Sequence, residues 1–147
     1  MFKEDPMSRL TRSRGFSLIE LLLVLAIIGI ISGIAIPQFL GQRRRARVIG
    51  DAISNAKVLQ MALETRRAEV GTYGTASTTY GWKADGSDAS GPALAPTFQP
   101  KGASQMNYSV AIGASGVSYV LTVADTTLGG ATAYQTNQSG EELARLQ

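Results

Sequence analysis

The sequence predicts an α+β protein in which one long N-terminal helix, kinked near Pro37, packs on a small antiparallel β-sheet. Three observations lead there. Residues 16–36 are apolar almost without a break, residues 49–70 repeat apolar side chains at helical spacing, and two segments of the C-terminal third alternate as strands do. With 147 residues the chain has room for one domain of ordinary size. It divides into residues 1–15 ahead of the apolar run, residues 16–40, residues 41–71 and residues 72–147.

The apolar run comes first. About 20 residues at ~1.5 Å rise make a helix about 30 Å long, the thickness of a bilayer core. A cleavable secretory signal has a shorter apolar core followed by a small-x-small site, and residues 34–41 offer none. Lys3, Arg9, Arg12 and Arg14 precede the run and Arg43, Arg44, Arg45 and Arg47 follow it, so charge alone does not orient the helix. One letter is out of keeping with the rest: Glu20 stands near the start of the run. A carboxylate there snorkels to the head groups, is protonated, or awaits a positive charge from another chain. Its place in the first helical turns also suits the positive end of the helix dipole.

The stretch RGFSLIE, with basic residues before Gly15, Phe16 after it and Glu20 four residues on, resembles the leader cleavage site of type IV pilins and their type II secretion pseudopilin relatives. The unbroken apolar run and Pro37 also fall where that family has them. The resemblance implies that residues 1–15 are a leader, starting at Met1 or in a wholly basic form at Met7. A prepilin peptidase and methyltransferase would cut between Gly15 and Phe16 and methylate the new amine of Phe16. It also implies an orientation, with the leader in the cytoplasm and Gly41 onward outside. Glu20 would then pair with the Phe16 amine of the next subunit in the filament core, since a buried charge is costly alone and much less so when paired.

Beyond the run, Pro37 lacks an amide proton and kinks the helix rather than ending it. Gly29 and Gly33 form a G-x-x-x-G that suits close helix packing, and with Pro37 and Gly41 they lower helix propensity locally. Ile49, Ile53, Ala56, Leu59, Leu63 and Val70 lie on one face of the continuing helix, and Gly71 is its expected stop. The stripe has to be covered by the C-terminal third. The run GQRRRAR is a solvated helical face, a contact for anionic head groups or a contact for a neighbouring subunit.

Residues 72–105, rich in Gly, Ser, Thr, Ala and Pro, read as a long surface connection with a short strand around residues 78–83. Within it DGSDASG, with Asp85 and Asp88, has the oxygen-rich composition of a calcium loop, although two carboxylates in a Gly-Ser stretch are more often only a turn. MNYSVAIG and VSYVLTVA alternate at Tyr108, Val110 and Ile112 and at Val117, Tyr119, Leu121 and Val123. A further strand follows over residues 131–138, giving a meander of three or four strands with one apolar face. Trp82 and the five tyrosines are read as core and strand-face residues.

Composition excludes several functions. There is no cysteine and no histidine, which removes disulfides, thiolate zinc sites and the commonest general base, and no catalytic constellation is found. From Gly71 onward only Lys83, Lys101 and Arg145 are basic, so no nucleic acid is expected as a partner. No cofactor is expected. The resemblance implies a structural subunit of a type IV pilus-like filament or, as the alternative, a pseudopilin of a type II secretion system. It would sit as a single-pass protein of the bacterial inner membrane before an assembly platform and its ATPase draw it, with minor pilins or pseudopilins, into an extracellular pilus or a periplasmic pseudopilus.

Overall fold

A computed structural model describes residues 15–85, 87, 90–99 and 105–147. The stretch before Gly15, with both candidate starts, lies outside the described residues, as do Asp88 and Lys101. The chain forms two compact units, Met1–Leu40 and Gly41–Gln147. Helix α1 (Leu18–Val70) contributes to both, and its helical assignment continues through position 37.

In the first unit α1 carries its apolar side chains on every side. Leu18, Leu22, Ile27, Ile30 and Ile34 are all exposed, and none of this segment is buried by the rest of the chain. Such an all-round apolar helix is built for an apolar medium or for contact with other helices.

The second unit holds the core. Strands β1 (Thr79–Trp82), β2 (Met106–Ile112), β3 (Tyr119–Asp125), β4 (Ala131–Asn137) and β5 (Glu142–Arg145) form one sheet in that order, each antiparallel to its neighbours. Alternation along β2 and β3 sends Met106, Tyr108, Val110, Ile112, Tyr119, Leu121 and Val123 to one face, where they meet Val48, Ala52, Ala56, Leu59 and Leu63 of α1. The covering of the helical stripe by the C-terminal sheet is as the sequence requires.

The stripe is buried at Ala56, Leu59 and Leu63 as the spacing indicates, but its N-terminal end lies one residue away from where the larger side chains suggest. Val48 and Ala52 are buried, Ile49 and Ile53 sit on the flank, and Val70 is exposed. The small Ala52 and Ala56 let the helix backbone approach the sheet, whereas Ile at those positions would hold it off. Two polar residues complete the buried face. Asn55 donates from Nδ2 to the Tyr108 hydroxyl at 2.8 Å, and Gln60 donates from Nε2 to the Asn137 carbonyl at 3.2 Å, so each hydrogen bond ties the helix to a particular strand position. A buried amide is tolerable only when bonded, which gives these contacts a role in fixing register.

α1 stops as the sequence indicates. Gly71 takes φ +86°, and its amide donates to the Arg67 carbonyl at 2.8 Å, the left-handed cap that glycine adopts without penalty. At the β3–β4 connection Gly129 and Gly130 also have positive φ, while the buried Asp125 accepts from the amides of Thr127 and Leu128.

Residues 72–105 are more than a surface connection. Tyr73, Trp82, Leu94, Ala95 and Phe98 are buried, and a short helix α2 (Gly91–Leu94) lies against β1. Phe98 meets Trp82 and Tyr108 edge-to-face at centroid distances of 5.4 and 5.3 Å. Gly91 permits this closeness, since a Cβ there would come within 2.2 Å of the Trp82 ring. Conversely, Val117 precedes β3 and is exposed. β5 brings the sheet to five strands. Its residues carry no strand signal, and the edge they form bears Glu142 and Arg145, paired at 3.4 Å on the surface.

Two expectations follow from this packing. Leu59→Ala removes a fully buried side chain between helix and sheet and should lower unfolding stability by about 2 to 5 kcal/mol in denaturant titrations, whereas Met61→Ala on the exposed face should change it by less than about 0.5 kcal/mol. Burial pushes the hydroxyls of Tyr108 and Tyr119 from 10.0 up to about 12. The folded state therefore keeps protons that the unfolded state sheds, so the contribution is complete below pH 10 and is lost as pH rises toward 12. Melting temperature should fall over that window, and tyrosinate absorbance should appear together with unfolding.

Candidate functional site

The chain enters α1 through Gly15, Phe16 and Ser17, which precede the first helical residue, Leu18. Phe16 is 85% exposed. Ser17 occupies the N-cap position: its carbonyl accepts the first helical bond from the Leu21 amide at 3.2 Å. Glu20, three residues later, turns its side chain back, and Oε2 accepts from the Ser17 amide at 2.9 Å. This is the carboxylate half of a capping box, and it satisfies one of the donors that a helix start leaves open.

The carboxylate that looked out of place thus has a local role. Within the single chain Glu20 meets a backbone N–H and the positive end of the dipole, which lowers the cost of placing it beside Leu21, Leu22 and Leu23. Sequence reasoning missed Ser17 as its partner. The signal was present in the S-x-x-E spacing of residues 17–20.

Gly29 and Gly33 lie farther along the same apolar surface. A Cβ at either would meet nothing within 4 Å, so their small size serves no contact inside the described chain. It leaves room for another helix to approach. Arg43, Arg44, Arg45 and Arg47 are all exposed, and Arg45 donates from Nη1 to the Gln147 carbonyl at 3.1 Å.

The other sites considered in the sequence hold less. Asp85 accepts from the Ser87 amide at 2.9 Å, a local turn, beside an open cleft of about 310 Å³ lined also by Ala84, Gln105, Asn107 and Thr126. Among the described residues no three carboxylates are grouped to hold a metal ion. Trp82, Phe98 and four of the five tyrosines are buried in the core, with Tyr73 and Tyr119 edge-to-face at 4.7 Å, and Tyr80 is half-buried.

Comparison with known proteins bears on the N-terminal segment. Residues 10–36 match the family model described as the prokaryotic N-terminal methylation motif, so the chain carries that motif over Gly15, Phe16 and Glu20. It is 44% identical over 62 residues to the type IV major pilin protein PilA of Myxococcus xanthus, a stretch covering 42% of this chain and 28% of that protein. It is 46% identical over 52 residues to a fimbrial protein of Pseudomonas aeruginosa, covering 35% of this chain and 33% of the relative. The chain thus spans a third or less of the length of the curated relatives it matches. No solved structure matches it.

The cap separates two properties of Glu20. Glu20→Gln keeps an acceptor for the Ser17 amide and should leave hydrogen exchange in the first turn of α1 nearly unchanged in micelles. Glu20→Ala removes the acceptor and should speed exchange at Ser17, consistent with a loss of about 0.5 to 2 kcal/mol.

Proposed function

We propose that this chain is a pilin-type structural subunit, an assembly protein rather than an enzyme, that polymerises through its N-terminal apolar helix. The carrying observation is a match to the methylation motif over residues 10–36 that runs into a helix apolar on all sides and exposed in the described chain. In this reading residues 1–15 are removed by cutting between Gly15 and Phe16, and Phe16 becomes the methylated N-terminus. The precursor waits as a single-pass inner-membrane protein with residues 16–36 in the bilayer. An assembly platform with its ATPase then moves it into a filament whose core is made of these segments. Pro37 and the nearby glycines serve as the point where the helix bends.

Glu20 has two successive partners in this account. In the lone subunit it accepts from the Ser17 amide. Cutting after Gly15 creates a cationic amine on Phe16, and in the filament the carboxylate of one subunit pairs with the Phe16 amine of the next. An unpaired charge among packed apolar helices is strongly unfavourable, so the pairing selects one axial register.

A pilus is favoured over a secretion pseudopilus because the matched relatives are named as a type IV major pilin and fimbrial proteins. Both filaments would use the same N-terminal chemistry. Genes for a retraction ATPase beside this one support the pilus; a secretin with further pseudopilins supports secretion.

Glu20→Gln and Glu20→Ala should both insert and both be cut after Gly15, yet enter filaments at least tenfold less well than the parent chain in sheared-filament yields. Normal assembly of Glu20→Gln would make the cap sufficient and remove the role of charge. Gly15→Glu should leave the precursor uncut, because a charged side chain would occupy the peptidase's place for the glycine.

A further inference from the structure

The sheet carries an open cleft of about 440 Å³, lined among others by Ala111, Val120, Leu143, Asn137 and Gln138. Ala111, Val120 and Asn137 stand opposite one another in the strand register, and alternation turns them to the face away from α1. Leu143 is exposed as well. Beside the cleft Asn137 donates from Nδ2 to Glu141 Oε2 at 3.0 Å, so a carboxylate is held at the rim by a neutral amide. We infer that this cleft receives the arginine side of α1 from a second copy of the chain, with Arg47 as the anchor and Glu141 as the group it meets.

The arginines are placed for a one-sided protein contact. Arg45 faces the sheet and is held by the Gln147 carbonyl. At about 100° per residue Arg47 lies about 140° around the helix from the buried Ala52, and Arg43 and Arg44 lie within about 60° of Arg47. All three are exposed, and among the described residues neither Arg44 nor Arg47 is in an ion pair. Asp51, four residues after Arg47, still leaves this side with an excess of positive charge. An arginine suits the cleft in two ways: its methylene stem covers Ala111, Val120 and Leu143, and its guanidinium forks onto the carboxylate. Glu141 is also the carboxylate best able to accept it. Glu64 has Arg67 three residues on, Glu69 has Arg66 three residues before, and Glu142 is paired with Arg145 at 3.4 Å.

One chain cannot make this contact with itself. Gln60 bonds the Asn137 carbonyl, so that end of the cleft is level with Gln60, and Arg47 lies about 20 Å earlier along the helix. The arginines also face outward from the helix layer and the cleft faces outward from the sheet layer, on opposite sides of the unit Gly41–Gln147. Patches on opposite sides cannot satisfy each other within one closed pair. They join copies head to tail in a series that stays open unless its rotation closes a ring. The inference rests on the subunit reading for its second copy, but it concerns the folded units and not the apolar segments.

The test uses the full chain in its host. The sequence has no cysteine, so introduced thiols are the only ones present. Gly50→Cys, on the arginine side where a Cβ meets nothing within 4 Å, and Gln138→Cys, in the cleft, are placed in two differently tagged copies and joined with a short bismaleimide. A mixed 50–138 dimer should form. Glu141→Gln in the copy with the cleft thiol keeps an acceptor for Asn137 and should lower the mixed dimer about tenfold, as should Arg44→Gln with Arg47→Gln in the other copy. Exchanging the charges, Arg47→Glu in one copy and Glu141→Arg in the other, should restore most of it. Equal crosslinking by Glu141→Gln and its parent would overturn the inference, and so would dimers formed mainly between like thiols, which would assign a twofold contact instead. A parent that gives the mixed dimer but no filaments would support this contact and overturn the filament reading. Filaments without the mixed dimer would do the reverse.

Discussion

A helix with apolar side chains on all sides has to be enclosed by something outside its own chain, and the first half of α1 has this character. A globular unit of this size buries its apolar residues against one another, and here the second half of α1 does so with the sheet. The first half takes no part. About 20 exposed apolar residues in one helix suit an apolar medium such as a bilayer or contact with other helices. Two further features of the N-terminus answer to that constraint: a carboxylate that is tolerable because it caps the helix, and glycines that leave space for a neighbour.

The second unit solves a different problem. It has to anchor a helix to a sheet firmly while leaving the helix's other face free. Large aliphatic side chains would do this by bulk alone, but the chain uses Ala52 and Ala56 for close approach and Asn55 and Gln60 for specificity. Burial of bonded amides contributes little net stability, yet it penalises any slip of the helix along the sheet, because a slipped helix leaves those amides without partners. The outward face keeps Val58 and Met61 exposed.

Much of this was legible in the sequence, and the failures have physical causes. The long helix, its glycine stop and strands β2 to β4 follow from periodicity and turn chemistry, which are local properties, and β1 was legible only as a short strand within residues 72–105. The stripe was legible at Ala56, Leu59 and Leu63 but not at its N-terminal end, because a size-based reading favours Ile49 and Ile53 over Val48 and Ala52 and passes over Asn55 and Gln60. β5 was unreadable for a related reason. Glu142, Leu143, Ala144 and Arg145 favour helix, and only pairing with β4 makes them a strand. Leu94 and Phe98 were hidden in a segment without period, since their burial depends on the fold that α2 and Gly91 allow, whereas Trp82 was legible as a core residue. At the N-terminus, Gly15, Phe16 and Glu20 were legible as a motif. The Ser17 contact was also written in the spacing, but attention to the charge of Glu20 obscured its role as an acceptor.

The central claim is that the apolar helix becomes a filament core after its leader is removed and its new N-terminus modified. Mass spectrometry of the mature protein isolated from its native host tests it most directly. The account predicts a chain beginning at Phe16 with one methyl group on its amine. A mature protein that retains residues before Phe16, or begins anywhere else, would contradict it.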